Sequence, residues 1–593
     1  MKRHIVRIAL GLALMLLFVG HVAEFYNIGL ITRLDNIIYD ARLALTMPGG
    51  VDPRIVILDI DERSLAKNAL GRWPWSRDKL AALVNKLFDK YGIAILGFDV
   101  VFAEPDDSSG LPVLDQLAKG RLKDVAPFRS ALRQLRPQLD YDAIFAKAIK
   151  GRPVVLGYYF NSSEDAVQSG AIPAPVLPAG TFKGRNIRIT DWRGYGGNLP
   201  ELQANAANAG HFNPLVDADG VTRRVPMLAE FHGAYYESLS LAMIRVLAGY
   251  PKVEPGFASN EFSSKSYSGL EWLKAGPVTI PVDDTVSALI PYRGRQGSFK
   301  YISLADVYFD KVPKDELRGK IALVGASAPG LVDLRSTPVG SVYPGVEIHA
   351  NMIAAMLDND FKQKPAYMLG TEVVLLLIGG IGLSLLLPLL SPLKATLLSV
   401  LATVLITGLD VILWTKAGLV LPLASSLLMI AALFAFNMSW GYFVESRSKR
   451  QFTELFGQYV PPELVDQMAK DPERYSMEGK SEALTVLFSD IVGFTSISEG
   501  LEPKELSQFI NDYLTAMSLV IRGNRGTLDK YIGDAIMAFW GAPVADAEHA
   551  RQAVITAMAM QAELDGLRAQ MRARGWPDIR IGVGVNTGNM SVG

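Results

Sequence analysis

The sequence predicts a multidomain chain: an extracytoplasmic α/β domain, four transmembrane helices and a cytoplasmic α+β domain of ferredoxin-like order. Three observations carry this. Four apolar blocks stand apart from stretches of ordinary charge, basic residues flank the first and last of them, and the two long segments left over alternate strand and helix patterns.

At 593 residues the chain has room for several domain-sized units. A net charge of -1 implies no global attraction to nucleic acid or membrane, and no nucleic-acid partner is expected. Cysteine is absent, which excludes disulfides, thiolate metal sites and cysteine nucleophiles. The six histidines (His4, His21, His211, His232, His349, His549) are scattered without the helical spacing of a zinc site and read as structural. A hydrophobic share of 49% and a mean hydropathy of +0.20, beside 20% charged residues, fit apolar blocks set among globular stretches.

The first block, residues 5–25, follows Lys2, Arg3 and His4 and lacks a good signal-cleavage site, so it reads as an uncleaved anchor. Three more, 369–390, 395–414 and 419–442, are each long enough to cross a hydrocarbon core of about 30 Å. Only Ser391–Lys394 and Thr415–Gly418 separate them, which leaves room for hairpin turns. Lys2, Arg3 and Arg7 at one end, and Arg447, Lys449 and Arg450 at the other, place both ends in the cytoplasm. Residues 27–365 are then outside, and everything after Glu445 is inside a multi-pass protein of the inner or plasma membrane. Asp410 stands near the outer end of the third span, close enough to the interface to be expected to reach water.

The outer segment has βαβ order. Ile55–Leu58 is a β-rich apolar run, Leu80, Leu83, Val84 and Leu87 mark one helix face, and Ile93–Val100 reads as a second buried strand. Ile321–Gly325 is a later strand and Gly345–Leu357 a helix leading toward the membrane. A mostly parallel sheet covered by helices follows. Asp59, Asp61 and Glu62 cluster at a strand end, where they read as a solvated loop or an acidic helix start rather than as catalysts. Asp217–Gly220 fails as a calcium loop and reads as a hairpin turn.

Across about residues 30–360, a series of short motifs resembles the CHASE2 sensor domain. They are Leu34-Asp35, Tyr39–Arg42, Asp59–Ser64, Arg72–Trp75, Phe98–Phe102, Gly210–Asn213, Gly325–Ser327 and Gly345–Ala350. Each is weak alone, and their order carries the resemblance. It implies an extracytoplasmic input module for an unspecified signal.

Residues 443–480 read as a connector. Phe452, Leu455, Phe456 and Tyr459 form one apolar helix face before Pro461-Pro462, suited to a parallel pair that passes a twist or shift from the membrane.

Residues 481–593 form the last domain. Glu482–Phe488 is a strand, Pro503–Arg522 a helix, and Thr527–Ile532 and Ala535–Trp540 a hairpin around Gly533-Asp534. A long helix over Asp546–Arg574 and a strand at Ile579–Val585 complete a β-α-α-β-β-α-β order. Asp490 ends one strand and Asp534 sits in the turn of a neighbouring hairpin, so the two can converge. Two carboxylates at one point repel unless a cation joins them.

Four ordered runs here resemble class III nucleotide cyclases: Phe488–Thr495, Asp529–Asp534, Ala535–Pro543 and Gly582–Gly588. The resemblance implies an adenylate cyclase, a phosphorus–oxygen lyase turning ATP into 3′,5′-cyclic AMP and pyrophosphate. It implies that Asp490 and Asp534 are catalytic and hold two Mg²⁺ or Mn²⁺ ions with help from the Ile491 carbonyl. Val492, Gly493, Phe494 and Thr495 would offer backbone amides to the phosphates. Lys530 occupies the purine-reading position; an ammonium has only donors, which suits adenine N1 and opposes the N–H of guanine. The family works as a homodimer, so Lys530 would serve the partner's Asp490 and Asp534. Elements carrying a second base-reading residue and a transition-state Asn and Arg are expected beyond Gly593, so the chain as it stands, with an incomplete cyclase domain, is expected to lack full activity. A guanylate cyclase, or a non-catalytic receptor using the domain for dimerisation, are the alternatives.

Overall fold

A computed structural model describes residues 2–258, 269–331, 333–441, 443, 461, 464 and 480–592. The connector face Phe452, Leu455, Phe456 and Tyr459 lies outside the described residues. The chain divides into two compact units, Met1–Phe434 and Ala435–Gly593.

The first unit holds a sheet of β1 (Asp52–Ile60), β2 (Ile95–Phe98), β3 (Val154–Asn161), β4 (Gln168–Ser169), β5 (Gly194–Gly196), β6 (Asn208–His211), β7 (Phe299–Ser303) and β8 (Ile321–Ala326). The order is β7-β1-β8-β2-β3-β5-β4, with β6 also paired to β3. Every pairing is parallel except β3 with β5. Ile55 and Ile57 of β1 pack into one buried cluster, while Val56, Leu58 and Ile60 pack into another on the opposite face. A strand covered on both sides must be apolar at every position, which is why the Ile55–Leu58 run does not alternate.

Of the acids at the end of β1, Asp61 and the exposed Glu62 form the expected acidic helix start, and only Asp59 is drawn inside the protein. Asp59 is buried and accepts from the Ser327 amide at 2.9 Å and the Ser327 hydroxyl at 2.5 Å. Asp61 accepts from the Ser64 amide at 2.9 Å and so caps a short helical turn. Asp217–Gly220 is a turn, with Gly220 at φ +83° and its amide bonded to the Asp217 carbonyl.

The membrane-side helices are α1 (Lys2–Val22), α2 (Gly29–Thr46), and, after further sensor helices α3 (Arg77–Asn85), α4 (Leu239–Leu247) and α5 (Gly345–Asp358), α6 (Tyr367–Leu386), α7 (Pro392–Ile412) and α8 (Ala424–Trp440). Among the described residues three helices are long and apolar enough to cross a membrane, Ile5–Val22, Tyr367–Leu389 and Pro392–Ala417. This corrects the expected four. Among its described residues the 419–442 block contributes the 17-residue apolar helix α8. The physical reason lies at its start: Pro422 has no N–H to continue a helix backward. In addition, Asp35 of α2 accepts from the Leu423 and Ala424 amides at 2.9 and 2.8 Å, ending the helix there.

Asp410 also departs from expectation. It is buried rather than in reach of water, and it is ion-paired to Arg42 of α2. Arg42 further donates to the Leu421 carbonyl at 3.1 Å and stacks over the Trp414 ring at 4.9 Å.

In the second unit, β9 (Lys480–Ile491), β10 (Thr527–Ile532), β11 (Ala535–Trp540) and β12 (Ile581–Val592) form an antiparallel sheet in the order β10-β11-β9-β12. The helices are α9 (Phe494–Gly500), α10 (Pro503–Gly523) and α11 (His549–Ala573). Phe509, Tyr513, Met517 and Ile521 of α10 and Met560, Leu564 and Leu567 of α11 form the core with Leu487, Ile536 and Ala538 of the sheet. β12 runs longer than expected, pairing with β9 from Ile581 to Val592.

Candidate functional site

The site begins with the β9–β11–β10 arrangement. β11 lies between β9 and β10, so the hairpin turn after Ile532 and the C-terminal end of β9 stand side by side. The turn has two residues, Gly533 and Asp534, with Ile532 and Ala535 paired across it. Gly533 adopts φ +66° while Asp534 does not have a positive φ. That is the turn pattern in which glycine is required first, and it leaves Asp534 an L-residue conformation.

Asp534 then meets the end of β9. The Ile491 amide donates to Asp534 Oδ2 at 3.1 Å. Burial, and next the neighbouring Asp490 carboxyl, raise the Asp534 carboxyl above its usual range. Asp490 is exposed and Asp534 half-buried, so the pair opens to solvent on one side. The structure thus brings together the two acids expected to act together.

The loop after β9 divides the four residues expected to offer amides. The Val492 amide already donates to the Arg580 carbonyl at 2.9 Å, which removes it from that role. Gly493 takes φ +74°, ψ 25°, and a Cβ there would meet open space. Phe494 and Thr495 open α9, where amides have no intrahelical acceptor.

Lys530 is exposed and its only ion pair among the described residues is with Asp529, at 3.2 Å. The register between β10 and β11 shifts between Leu528 and Lys530, a bulge that re-aims the side chains beyond it. Periodicity did not disclose that bulge.

One neighbour of the acids belongs to the core. Tyr513 of α10 is fully buried, and its hydroxyl lies 3.4 Å from the Ser489 hydroxyl. Burial pushes its pKa up to about 12, with the charges of Asp534 and Asp490 adding to the rise. The available signal was Ser489 itself, a polar residue at an inward position of an apolar strand. His549 accords with its structural reading: its Nδ1 lies 2.7 Å from the Thr485 hydroxyl, which is bonded in turn to Thr587 at 2.8 Å.

The donor set suits a hard divalent cation. Two carboxylates meet where like charge already raises one of them, and Mg²⁺ binds through one or two carboxylates plus water and phosphate oxygens. Among the described residues no three His, Cys, Asp or Glu side chains converge on a metal position. The protein would therefore supply two acids and leave other positions to oxygens of water and substrate.

Comparison with known proteins agrees with both halves of this picture. The profile described as "CHASE2 domain" matches residues 9–387, more than half of the chain. The chain belongs to the CHASE2 family. A second profile, "Adenylate and Guanylate cyclase catalytic domain", matches residues 477–593 of this CHASE2 chain. Over 138 residues it is 36% identical to adenylate cyclase 1 of Rhizobium meliloti (strain 1021), covering 23% of this chain and 21% of that protein. Over 160 residues it is 33% identical to the adenylate cyclase of Anabaena cylindrica, covering 26% of this chain and 32% of the relative. The CHASE2 chain thus spans about a fifth to a third of the length of these curated relatives. Among solved structures it is similar to the adenylyl cyclase CyaB from P. aeruginosa, at 41% identity, covering 20% of this chain and 61% of that one, with a TM-score of 0.19.

Proposed function

We propose that this CHASE2 protein is a membrane-anchored adenylate cyclase governed by its extracytoplasmic sensor. The observation that carries the reading is the convergence of Asp490 and Asp534, held by the Ile491 amide. ATP closes on itself: its 3′-oxygen forms a bond to the α-phosphorus, the α–β bridging P–O bond breaks, and pyrophosphate leaves with that electron pair. The 3′-hydroxyl proton passes to solvent.

Asp490 and Asp534 would hold two Mg²⁺ or Mn²⁺ ions, with the Ile491 carbonyl contributing. When bound, such ions lower the pKa of the attacking hydroxyl and offset charge on the triphosphate. The chain's own work is positioning. Gly493, with no side chain, permits a close approach, and the Phe494 and Thr495 amides at the start of α9 would offer N–H groups to a phosphate. Lys530 presents donors to adenine N1, favouring ATP over GTP.

The homodimer reading is supported by the uncovered side of the sheet. Phe488 and Ile532 are exposed there, apolar residues on the face opposite the helices that a second copy would cover. Lys530 stands on the same hairpin and would reach the partner's acids. The basic residues Arg447, Lys449 and Arg450 support a cytoplasmic cyclase, where ATP is found; together with an outward-facing sensor this takes the shorter apolar helix α8 as a further crossing beside the three long ones.

The test is cyclic nucleotide formation by the protein in membranes, from ATP and from GTP, with Mg²⁺ or Mn²⁺. Asp490→Ala should abolish it, and Lys530→Ala should erode the preference for ATP. Absence of product from both nucleotides with both metals, in full-length protein and after removal of residues 1–444, would leave the non-catalytic receptor.

A further inference from the structure

Three of the runs that carry the CHASE2 resemblance meet at one point of the first unit. Phe98–Phe102 brings Asp99 to the end of β2, Gly210–Asn213 brings His211 to the end of β6, and Gly345–Ala350 brings His349 to the first turns of α5. β2 and β6 both pair with β3 in parallel, so their C-terminal ends lie on one edge of the sheet. His349 Nε2 stands 3.9 Å from Asp99 Oδ1, and His211 lies close enough to His349 for a charge on one to oppose a charge on the other.

Both imidazoles are buried without the partners that would hold a proton on them. His211 is 0% exposed and His349 5% exposed. Neither ring nitrogen of His211 has a hydrogen-bond partner, nor has His349 Nδ1, and 3.9 Å is too long for a bond from His349 to Asp99. The charged groups packed around them are committed elsewhere. Asp59 of β1 is bonded to Ser327, Glu237 beside α4 is paired with Arg245, and Asp333 is paired with Arg335. Glu347 of α5 accepts from Tyr301 and from the Gly297 amide. Tyr158 of β3, opposite His211, and Tyr343, bonded to Asn351, are kept uncharged by burial. A proton on either ring would therefore be a buried charge without an acceptor. Burial accordingly lowers His211 to about 3 and His349 to about 4, while burial and next the charge of Asp333 raise Asp99 to about 7.

From this point α5 leads to the membrane. Every residue from Gly345 to Met356 is buried, Asp358 at its end pairs with Arg54 at 2.6 Å, and α6 begins at Tyr367. If the head of α5 opens, both rings reach water and take up protons below about pH 6.5. Closed, the cluster holds one proton, on Asp99. Opening thus takes up one more proton between about pH 6.5 and 4, and acid favours it by about tenfold per pH unit.

We propose that Asp99, His211 and His349 form an acid-opened latch at the head of α5, through which the sensor unit responds to protons. That these protons are extracytoplasmic rests on the outward placement proposed above. The opening itself does not, and it is independent of the reading of Asp490 and Asp534.

The experiment is amide hydrogen exchange of the full chain in phosphatidylcholine nanodiscs at pH 7, 6 and 5, with the intrinsic exchange rates divided out. Peptides from α5 report the latch, and peptides from α3 report opening of the whole unit. Protection of α5 should lie below that of α3 and should fall by about tenfold per unit below about pH 6.5. His211→Asn leaves one histidine against one aspartate and should make the protection of α5 independent of pH over this range. Asp99→Asn removes the proton that the closed cluster holds, so opening takes up two, and the fall should steepen to about 100-fold per unit. A merely structural role would not move the two slopes in opposite directions. Should His211→Asn fail to fold, Asp99→Asn decides alone, because it replaces a carboxyl that already carries its proton below pH 7. Protection of α5 that does not fall with acid, a slope unchanged in Asp99→Asn, or equal protection in α3 and α5 overturns the inference.

Discussion

The Ile491 amide donates to Asp534 Oδ2 at 3.1 Å, so the strand that ends in Asp490 also fixes the second acid. This separates charge from structure at one position. Asp534→Asn keeps an acceptor for the amide and removes the charge, so stability should change by no more than about 0.5 kcal/mol. Cyclic nucleotide formation by the protein should nevertheless fall by about 100-fold or more, the loss of several kcal/mol of metal-assisted stabilisation. Asp534→Ala also leaves the amide without its acceptor, and should cost about 1 kcal/mol in chemical unfolding beyond the loss of activity. Full activity in Asp534→Asn would remove Asp534 from the mechanism.

Gly210 tests the packing of the sensor. A Cβ at this position of β6 would lie 2.5 Å from Leu239 Cα and 2.6 Å from the Ser238 carbonyl, both backbone atoms at the start of α4. Neither can swing aside as a side chain would. Gly210→Ala should therefore destabilise the protein by about 3 kcal/mol, seen as a lower thermal midpoint. Gly29→Ala is the matched control: a Cβ there meets nothing within 4 Å, at the first residue of helix α2. It should be neutral or stabilising by about 0.5 kcal/mol. Equal effects at both sites would contradict the close approach of β6 to α4.

What the sequence disclosed were the features whose cause is local. The unbroken apolar run Ile55–Leu58 announced a strand covered on both faces, and the Gly533-Asp534 pair announced a tight hairpin. Asp490 and Asp534 were legible because strand pairing alone brings a strand end beside a neighbouring turn. What stayed hidden depends on partners far away in the chain. The apolar stretch Leu419–Leu423 looks like the start of a span until Asp35 is seen to cap Leu423 and Ala424. Val492 looks like a free amide until β12 brings the Arg580 carbonyl to it. Asp410 looks half-solvated until Arg42 is found against it. No periodicity in the chain encodes such pairings.

The buried His211 and His349, with the half-buried Asp99, set a pH dependence. His211 is fully buried with neither ring nitrogen bonded, and burial lowers its pKa to about 3. Burial lowers His349 to about 4, and raises Asp99, whose Oδ1 is 3.9 Å from His349 Nε2, to about 7. Between about pH 6.5 and 4 the unfolded chain protonates both histidines, while the folded chain holds an extra proton only on Asp99. The unfolded state thus binds about one more proton, so stability falls as pH falls, by about 1.4 kcal/mol per unit. Thermal unfolding of the full chain from pH 7 to 5 should show this trend. His211→Asn removes one histidine from the balance and should flatten it over that range. A profile as steep in His211→Asn as in the unmodified protein would exclude this assignment.

The Arg42–Asp410 pair joins α2 to α7, and both groups are largely withdrawn from water. Losing one partner strands the other charge, so Arg42→Met and Asp410→Leu should each destabilise the protein by about 3–5 kcal/mol. The double variant removes both charges and should recover most of that loss, since an apolar pair of similar size satisfies the same space. The coupling in this double-mutant cycle, measured by thermal unfolding of the full chain in detergent, should exceed about 2 kcal/mol. Additive losses would mean that the two side chains act separately and that α2 is held over the membrane helices by Asp35 and Trp414 instead. Strong coupling would make this pair the anchor through which movement of α2 reaches α7, because no adjustment of the sensor helix could then leave Asp410 behind.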